Sequence, residues 1–148
     1  MKPKRMGIAT LLVAMSVAMV SCESKHAAVE WQGYILQEVP ALAELPAAVQ
    51  SELGVGRPGT DGVADRGRPF NVTDVVMDNL PMRRFLTAGR DGDTWLVALE
   101  RGGRAYNVEV FLYSTPGVTL KQRWVLLDHP KSLADVVQQL SREEQLGD

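Results

Sequence analysis

The sequence predicts an α+β domain: a four-stranded antiparallel β-meander with short helices packed on one side and a C-terminal helix. Short apolar segments between residues 83 and 127 are separated by glycine-containing turns, which is typical of antiparallel strands. Before and after that region, apolar residues recur at helical spacing. With 148 residues, of which 45% are hydrophobic and 23% charged, the chain has the composition of one modest domain, placed at residues 31–148.

The first residues have the outline of an export signal. Lys2, Lys4 and Arg5 precede an almost wholly apolar run over residues 6–20. A run of this length is shorter than the roughly 20 residues that a helix needs to cross a bilayer, which favours a cleaved signal over an uncleaved anchor.

The apolar run ends at Met19, Val20, Ser21 and Cys22, and this order resembles the lipobox of bacterial lipoproteins, with Met19 where leucine is usual. The resemblance covers only the first 22 residues. It implies that the Cys22 thiol carries a diacylglyceryl group, that residues 1–21 are removed as a lipoprotein signal peptide, and that residues 22–30 form a lipidated tether. The alternative is a free thiol after an ordinary secretory cleavage site.

Cys22 is the only cysteine, so the exported domain has no intramolecular disulfide and depends on its core and hydrogen bonds. Removal of residues 1–21 leaves 13 basic and 18 acidic residues, a net charge of −5. This charge argues against a nucleic-acid partner. Glu23 is not the aspartate that, in enteric members of the family, favours inner-membrane retention. We therefore expect an outer-membrane protein that faces the periplasm.

The first half of the exported chain predicts an arm, a helix and a loop. Residues 31–39 form an apolar arm, either a strand or irregular. Residues 46–53 form a short helix that Gly54 ends. Residues 54–69 are rich in glycine and proline and predict a loop, whereas residues 70–80 fit either a helix or a strand.

The meander follows from two glycine-containing turns, Asp91-Gly92 and Gly102-Gly103. The first turn pairs Leu86 with Val97 and Ala88 with Trp95. The second pairs Leu99 with Tyr106, Val97 with Val108, and Trp95 with Val110. Both turns therefore place the bulky apolar residues on one core face.

The third turn needs more than two residues. A two-residue turn at Pro116 and Gly117 would mix the two faces of the sheet. A longer loop or a bulge between Ser114 and Thr119 instead pairs Leu112 with Leu120, Val108 with Trp124, and Tyr106 with Leu126.

The C-terminal helix has a start signal and an apolar face. Ser132 followed by Asp135 resembles a capping box. Leu133, Val136 and Leu140 then recur at helical spacing.

A candidate partner face lies opposite the predicted core. It holds Phe85, Leu96, Phe111 and Val125 among polar residues. Either the arm and the first helix cover this surface, at least in part, or it is an exposed apolar patch that binds another protein. Arginines near the hairpin ends, such as Arg84 and Arg101, are either contacts for an anionic partner or ordinary strand-end charges.

No motif indicates catalysis, a cofactor or a metal. Gly54, Gly56 and Gly59 match G-x-G-x-x-G, but a helix precedes them where a nucleotide-binding fold has a strand, so no nucleotide is expected. The acidic pairs in the loops offer too few oxygens for Ca²⁺. Asp128 and His129 stand where a turn is expected, and we interpret them as turn residues. The sequence thus favours a protein that is not an enzyme.

Three functions stay open at this point. The first is a lipid-anchored envelope lipoprotein with a non-enzymatic interaction or accessory role, whose partner is the membrane, with an envelope protein as a further candidate. The second is a binding module for an envelope ligand such as peptidoglycan or a glycolipid. The third is an inhibitor or immunity-like protein.

Overall fold

The computed structural model describes residues 27–146. The predicted signal peptide, residues 1–21, and the predicted lipidation site, Cys22, lie outside the described residues. In the described part, seven strands form one sheet with two α-helices packed on it. The α+β class is confirmed, but the sheet has seven strands where four were predicted.

The strands are β1 (Ala28–Trp31), β2 (Tyr34–Val39), β3 (Val63–Ala64), β4 (Arg83–Asp91), β5 (Thr94–Arg101), β6 (Asn107–Ser114) and β7 (Thr119–Leu126). The α-helices are α1 (Ala47–Leu53) and α2 (Leu133–Leu146), and short 3-10 helices span Leu42–Glu44 and Gly59–Asp61. The strand order is β1-β2-β4-β5-β6-β7, with all neighbours antiparallel. β3 pairs in parallel with the start of β4, whereas β2 pairs with its end.

Two of the additional strands come from the predicted arm. Gln32 and Gly33 have φ angles of 48° and 81° and form the two-residue turn between β1 and β2. Positive φ at both positions matches the twist of a tight hairpin. Because β1 starts at Ala28, the folded domain begins inside the segment that was predicted to be a tether.

We call the two ends of the sheet upper and lower. The upper end holds the turns at residues 32–33 and 92–93 and the loop at residues 115–118. The lower end holds the start of β4, the connection at residues 102–106 and the end of β7.

Both faces of the sheet are buried, so the prediction of helices on one side is wrong. The α2 face carries Leu96, Val108 and Val110 beneath α2. The α1 face carries Phe85, Val97 and Leu99 beneath α1 and the Leu42–Glu44 turn. Trp31 and Trp124, from the two edge strands, meet at a centroid distance of 5.6 Å, so the sheet curls around α2.

The β5–β6 pairing differs from the prediction by three residues. Val97 pairs with Phe111 and not with Val108, because residues 102–106 form a five-residue connection. Side chains alternate along a strand, so a register shift by an odd number of residues moves every side chain of β6 to the opposite face of the sheet. Val108 and Val110 therefore lie on the α2 face. Gly102 does not form the turn: a Cβ atom there would lie 1.6 Å from the Asn71 carbonyl oxygen.

The other two connections are closer to the prediction. The β4–β5 turn is Gly92-Asp93, and a bulge at Leu86 moves that side chain to the α2 face. The β6–β7 connection is a four-residue loop, as the expectation of a longer loop required. A register shift beside Lys121 then pairs Val110 with Trp124 and Val108 with Leu126.

Both predicted α-helices are present. The φ angle of Gly54 is 88°, and its N–H donates to carbonyls of the last turn of α1. At α2, the Asp135 N–H donates to Ser132 Oγ at 3.2 Å, and the Lys131 N–H donates to Asp135 Oδ2 at 2.9 Å. The bond from the Lys131 N–H, followed by a hydrogen bond from the Ser132 side chain, stabilises the Asp135 carboxylate and lowers its pKa.

Two segments between α1 and α2 differ from the prediction. The predicted loop at residues 54–69 contains the Gly59–Asp61 turn and β3. Residues 70–80 were expected to be a helix or a strand and are neither. A buried asparagine, Asn71, supplies hydrogen bonds there that regular structure would otherwise supply.

Leu140→Ala should lower the free energy of unfolding by about 2–5 kcal/mol, because it empties a fully buried site between α2 and the sheet. Leu127→Ala is the matched control, since the same atoms are removed from a side chain that is 75% exposed. The control should cost less than about 0.5 kcal/mol. Urea denaturation followed by tryptophan fluorescence measures both, and equal losses would contradict the packing of α2.

Candidate functional site

The predicted partner face is largely buried. Phe85 and Leu96 are 0% and 1% exposed, Phe111 is 8% exposed, and only Val125, at 45%, reaches the surface. α1 covers Phe85 and Phe111, which bears out the alternative of partial cover. Leu96 lies on the other face beneath α2, because it alternates along β5 with Trp95 and Val97. These four residues therefore form no continuous surface that a folded partner could reach.

A groove of about 440 Å³ opens on the α2 face near the lower end. It lies between β4, β5, the turn at residues 66–67 and the segment that leads into α2. Its lining side chains include Arg66, Arg84, Leu86, Glu100, Tyr106, His129 and Lys131. We call this the lower groove.

An ion pair forms the floor of the lower groove. Arg84 and Glu100 are direct partners across β4 and β5. Arg84 Nε lies 2.5 Å from Glu100 Oε2, and Arg84 Nη2 lies 3.0 Å from Oε1. The Tyr106 hydroxyl donates to the same Oε1 at 2.7 Å. Two donors on a carboxylate that is only 12% exposed form a strong, charge-assisted arrangement.

The protonation states of this cluster follow from its contacts. Burial raises the pKa of Glu100, but the hydrogen bonds from Arg84 and Tyr106 outweigh burial and hold that pKa below its ordinary value. Burial, together with the bond to Glu100, raises the pKa of Tyr106. At neutral pH the carboxylate is therefore charged and the phenol neutral, so neither group is poised to exchange a proton.

The rim of the lower groove is cationic and aromatic. His129 stacks on Tyr106, with ring centroids 4.3 Å apart and planes 9° apart. Lys131 is exposed beside it. Arg66 Nε donates to the Leu86 carbonyl at 2.7 Å, and its guanidinium lies 3.8 Å from Glu38. Arg84 is paired with Glu100 and Arg66 with Glu38, so the excess positive charge of the rim comes from Lys131.

A second buried acid lies on the α1 face. Glu109 is 2% exposed and accepts hydrogen bonds from Arg101 at 2.9 Å and from Arg123. Arg84 and Arg101, two of the arginines considered for an anionic partner, are thus bound to glutamates of the same sheet. Within residues 27–146, no three acidic, histidine or cysteine side chains gather as a metal site would require.

Sequence reasoning missed the Arg84–Glu100–Tyr106 cluster. The predicted register placed Arg84 opposite Leu99, one residue from its partner, and assigned Tyr106 to the core. The turn at Gly92 and Asp93 shifts the register by two residues, and the bulge at Leu86 shifts it back by one, which pairs Arg84 with Glu100. No residue type in β4 signals the bulge. The exposed apolar side chains of residues 72–77 were also missed, because they were read as one face of a helix or strand.

No protein-family model, no curated protein and no solved structure matches this chain. Among residues 27–146, no helix has both the length and the apolar character needed to span a bilayer.

Glu100→Gln should destabilise the domain at neutral pH by about 1–3 kcal/mol, because Arg84 loses its charged partner in a largely dry site. The pKa of Glu100 is lower in the folded state, so its stabilising contribution is present above the unfolded pKa and is lost as pH falls through the folded pKa. The stability gap between wild type and variant should therefore be constant at neutral pH and narrow as pH falls below the unfolded pKa of 4.5.

Urea titrations at several pH values measure this gap. Glu143→Gln, on an exposed helix position, is the control and should give a small gap at every pH. A gap for Glu100→Gln that does not change with pH would contradict the assigned ion pair.

Proposed function

We propose that this protein is a lipid-anchored lipoprotein of the bacterial envelope with a non-enzymatic interaction or accessory role. One observation carries the proposal: the only cysteine, Cys22, stands at the end of a lipobox-like sequence behind a basic and apolar leader. Lipid attached at this thiol holds the domain beside a bilayer, and two or more acyl chains make such attachment stable.

The distance between the anchor and the fold supports the proposal. β1 begins at Ala28, six positions after Cys22. A chain of six residues spans at most about 20 Å. The domain would therefore sit directly on the membrane surface, where its contacts involve the bilayer and proteins or polymers close to it.

The chemistry of the lower groove suits contact more than catalysis. Its buried carboxylate is saturated by Arg84 and Tyr106, and the geometry offers no nucleophile next to a base. Glu23 after Cys22 leads us to place the protein in the outer membrane, facing the periplasm.

Cys22→Ala should abolish incorporation of a palmitate analogue and release the protein from the membrane fraction. Ser24→Ala is the control, because it changes a small residue outside the lipobox and should label like wild type. Metabolic labelling of cells that produce the full chain, with intact mass of the purified product, gives the result. Equal label in wild type and Cys22→Ala would rule out lipid at this position.

A second candidate function is the binding of an anionic envelope ligand, such as the carboxylate-bearing peptides of peptidoglycan. The observation that favours it is the rim of the lower groove, where Lys131 and Arg66 flank the stacked rings of Tyr106 and His129. Cations attract carboxylates, and flat aromatic faces suit sugar rings.

Sedimentation with purified sacculi tests this candidate. Arg66→Ala combined with Lys131→Ala should raise the Kd for sacculi about tenfold, since two charge contacts of about 0.7 kcal/mol each are lost. Lys121→Ala combined with Arg142→Ala removes the same charge from exposed sites away from the groove and should bind like wild type. Equal binding by both double variants would exclude the groove.

A further inference from the structure

Exposed apolar side chains are concentrated toward the lower end of the sheet. Among residues 27–146, eight large apolar side chains are exposed, and six of them lie on the lower half of β7, just after it, or in the segment below β4 and β5. The six are Val72, Val75, Val76, Met77, Val125 and Leu127, with exposures between 45% and 75%. The other two, Ile35 and Leu120, lie toward the upper end.

Four of the six belong to one segment, residues 71–80, which we call the lower loop. The Asn71 side chain holds its shape. Asn71 Nδ2 donates to the carbonyls of Met77 at 3.0 Å and Leu80 at 2.7 Å, and Asn71 Oδ1 accepts from the Met77 N–H at 2.8 Å. Since Asn71 is 3% exposed, these bonds are shielded from water. The valines are therefore presented outward by a bonded framework.

The lower loop is fixed against the end of the sheet. The Gly102 N–H donates to the Met82 carbonyl, and the Asn71 N–H donates to the Pro81 carbonyl. Gly102 also packs so closely on Asn71 that a side chain would not fit between them. Because the lower loop is already rigid, its insertion into another apolar phase loses little conformational entropy.

Exposed cationic residues lie at the same end of the sheet as the lower loop. Arg104 is exposed in the connection at residues 102–106, and Arg68 is exposed just before the lower loop. Lys131 on the lower groove adds a third cation. Asp74 and Asp78 in the lower loop reduce the net charge. An apolar tip flanked by cations matches a bilayer surface that contains anionic headgroups.

The chain enters the fold in a direction that leads to the same end. β1 is antiparallel to β2, and β2 is antiparallel to β4, so β1 and β4 both run from the lower end to the upper end. The end of β1 at which the chain enters the fold is therefore its lower end. The Glu38 N–H donates a hydrogen bond to the Ala27 carbonyl, and Glu38 pairs with Gly89 on β4. Ala27 therefore lies level with Gly89.

The lengths set the tilt of the domain on the bilayer. From Gly89 to Arg83, β4 descends about 20 Å. The five residues from Ala27 back to Cys22 reach at most about 17 Å. Because this reach is shorter than the drop along β4, lipid on Cys22 and the lower loop meet one bilayer plane when the sheet tilts toward its β1 edge.

We propose that the lower loop is a second membrane contact, which inserts Val75, Val76 and Met77 into the lipid surface to which Cys22 is anchored. This inference rests on the proposed lipid anchor and adds an orientation to it. The lower end faces the bilayer, and the upper end, with Ile35, faces away. The lower groove then opens close to the headgroups.

The test places a fluorophore at either end of the full, lipidated chain. Because Cys22 would be acylated, Val76→Cys or Ile35→Cys supplies a single free thiol for an environment-sensitive dye. Each labelled protein is reconstituted in vesicles of phosphatidylethanolamine and phosphatidylglycerol whose acyl chains carry nitroxide quenchers. Circular dichroism verifies that both variants fold.

We expect the dye at residue 76 to be quenched about twofold or more, because interfacial apolar groups lie roughly 5–10 Å into the headgroup and acyl boundary. The dye at residue 35 should be unaffected. Equal quenching at both positions, or none at residue 76, would overturn the proposal. Val75→Asp in the Val76→Cys background should abolish the quenching while the protein stays bound to the vesicles.

Two further readouts separate the anchor from the loop. Treatment of the wild-type chain with the same dye tests Cys22 alone, and labelling would show a free thiol and contradict the anchor. In that case, peptide mapping of the Val76→Cys variant still distinguishes dye at residue 76 from dye at Cys22. In native membranes, protection of the thiol introduced by Val76→Cys, without quenching of its dye in vesicles, would assign the loop to a protein partner and overturn the lipid contact.

Discussion

Burial of β5 and β6 on both faces is the constraint on which the rest of the structure depends. All five residues from Trp95 to Leu99 are buried, so each face of β5 needs its own cover. α2 covers Leu96, whereas α1 and the turn before it cover Val97 and Leu99. Gly89 lets Leu133 of α2 approach the sheet, since a Cβ atom at Gly89 would lie 3.0 Å from it.

This three-layer packing buries most of the large apolar side chains, and six of the eight that stay exposed among residues 27–146 lie toward the lower end. The face first proposed for a partner lies inside the core, whereas the exposed valines are held by Asn71 below the sheet. The Arg84–Glu100–Tyr106 cluster lies at the same end of the sheet, and the charge of its buried carboxylate is paired with Arg84. Apolar and cationic groups consequently lie together at the lower end of the sheet.

The sequence predicts local features well because their causes are local. Gly54 ends α1 through a left-handed φ, and Ser132 and Asp135 cap α2, so both helices could be placed from a few neighbouring residues. The need for a longer β6–β7 loop was likewise predictable, because a two-residue turn would have mixed the faces. These elements confirm that capping and alternation carry direct structural information.

Features set by contacts between distant residues could not be predicted in this way. Gly102 looks like a turn residue, but its lack of a side chain serves close packing on Asn71, and the resulting shift of three residues exchanges the faces of β6. The bulge at Leu86 depends on packing against the α2 face in the same manner. The candidate site follows from this register, so Arg84 and Glu100 were not recognised as partners.

Hydrogen-exchange mass spectrometry of the intact protein tests the two-sided burial of the sheet most directly. The account predicts that amides of residues 96–99 and 108–112 exchange only through global unfolding and are the slowest in the domain, while amides of the exposed edge strand β7 exchange faster. Exchange of residues 96–99 as fast as that of β7 would show that one face of β5 is open to water. That result would contradict the packing of α1 and α2 on opposite faces.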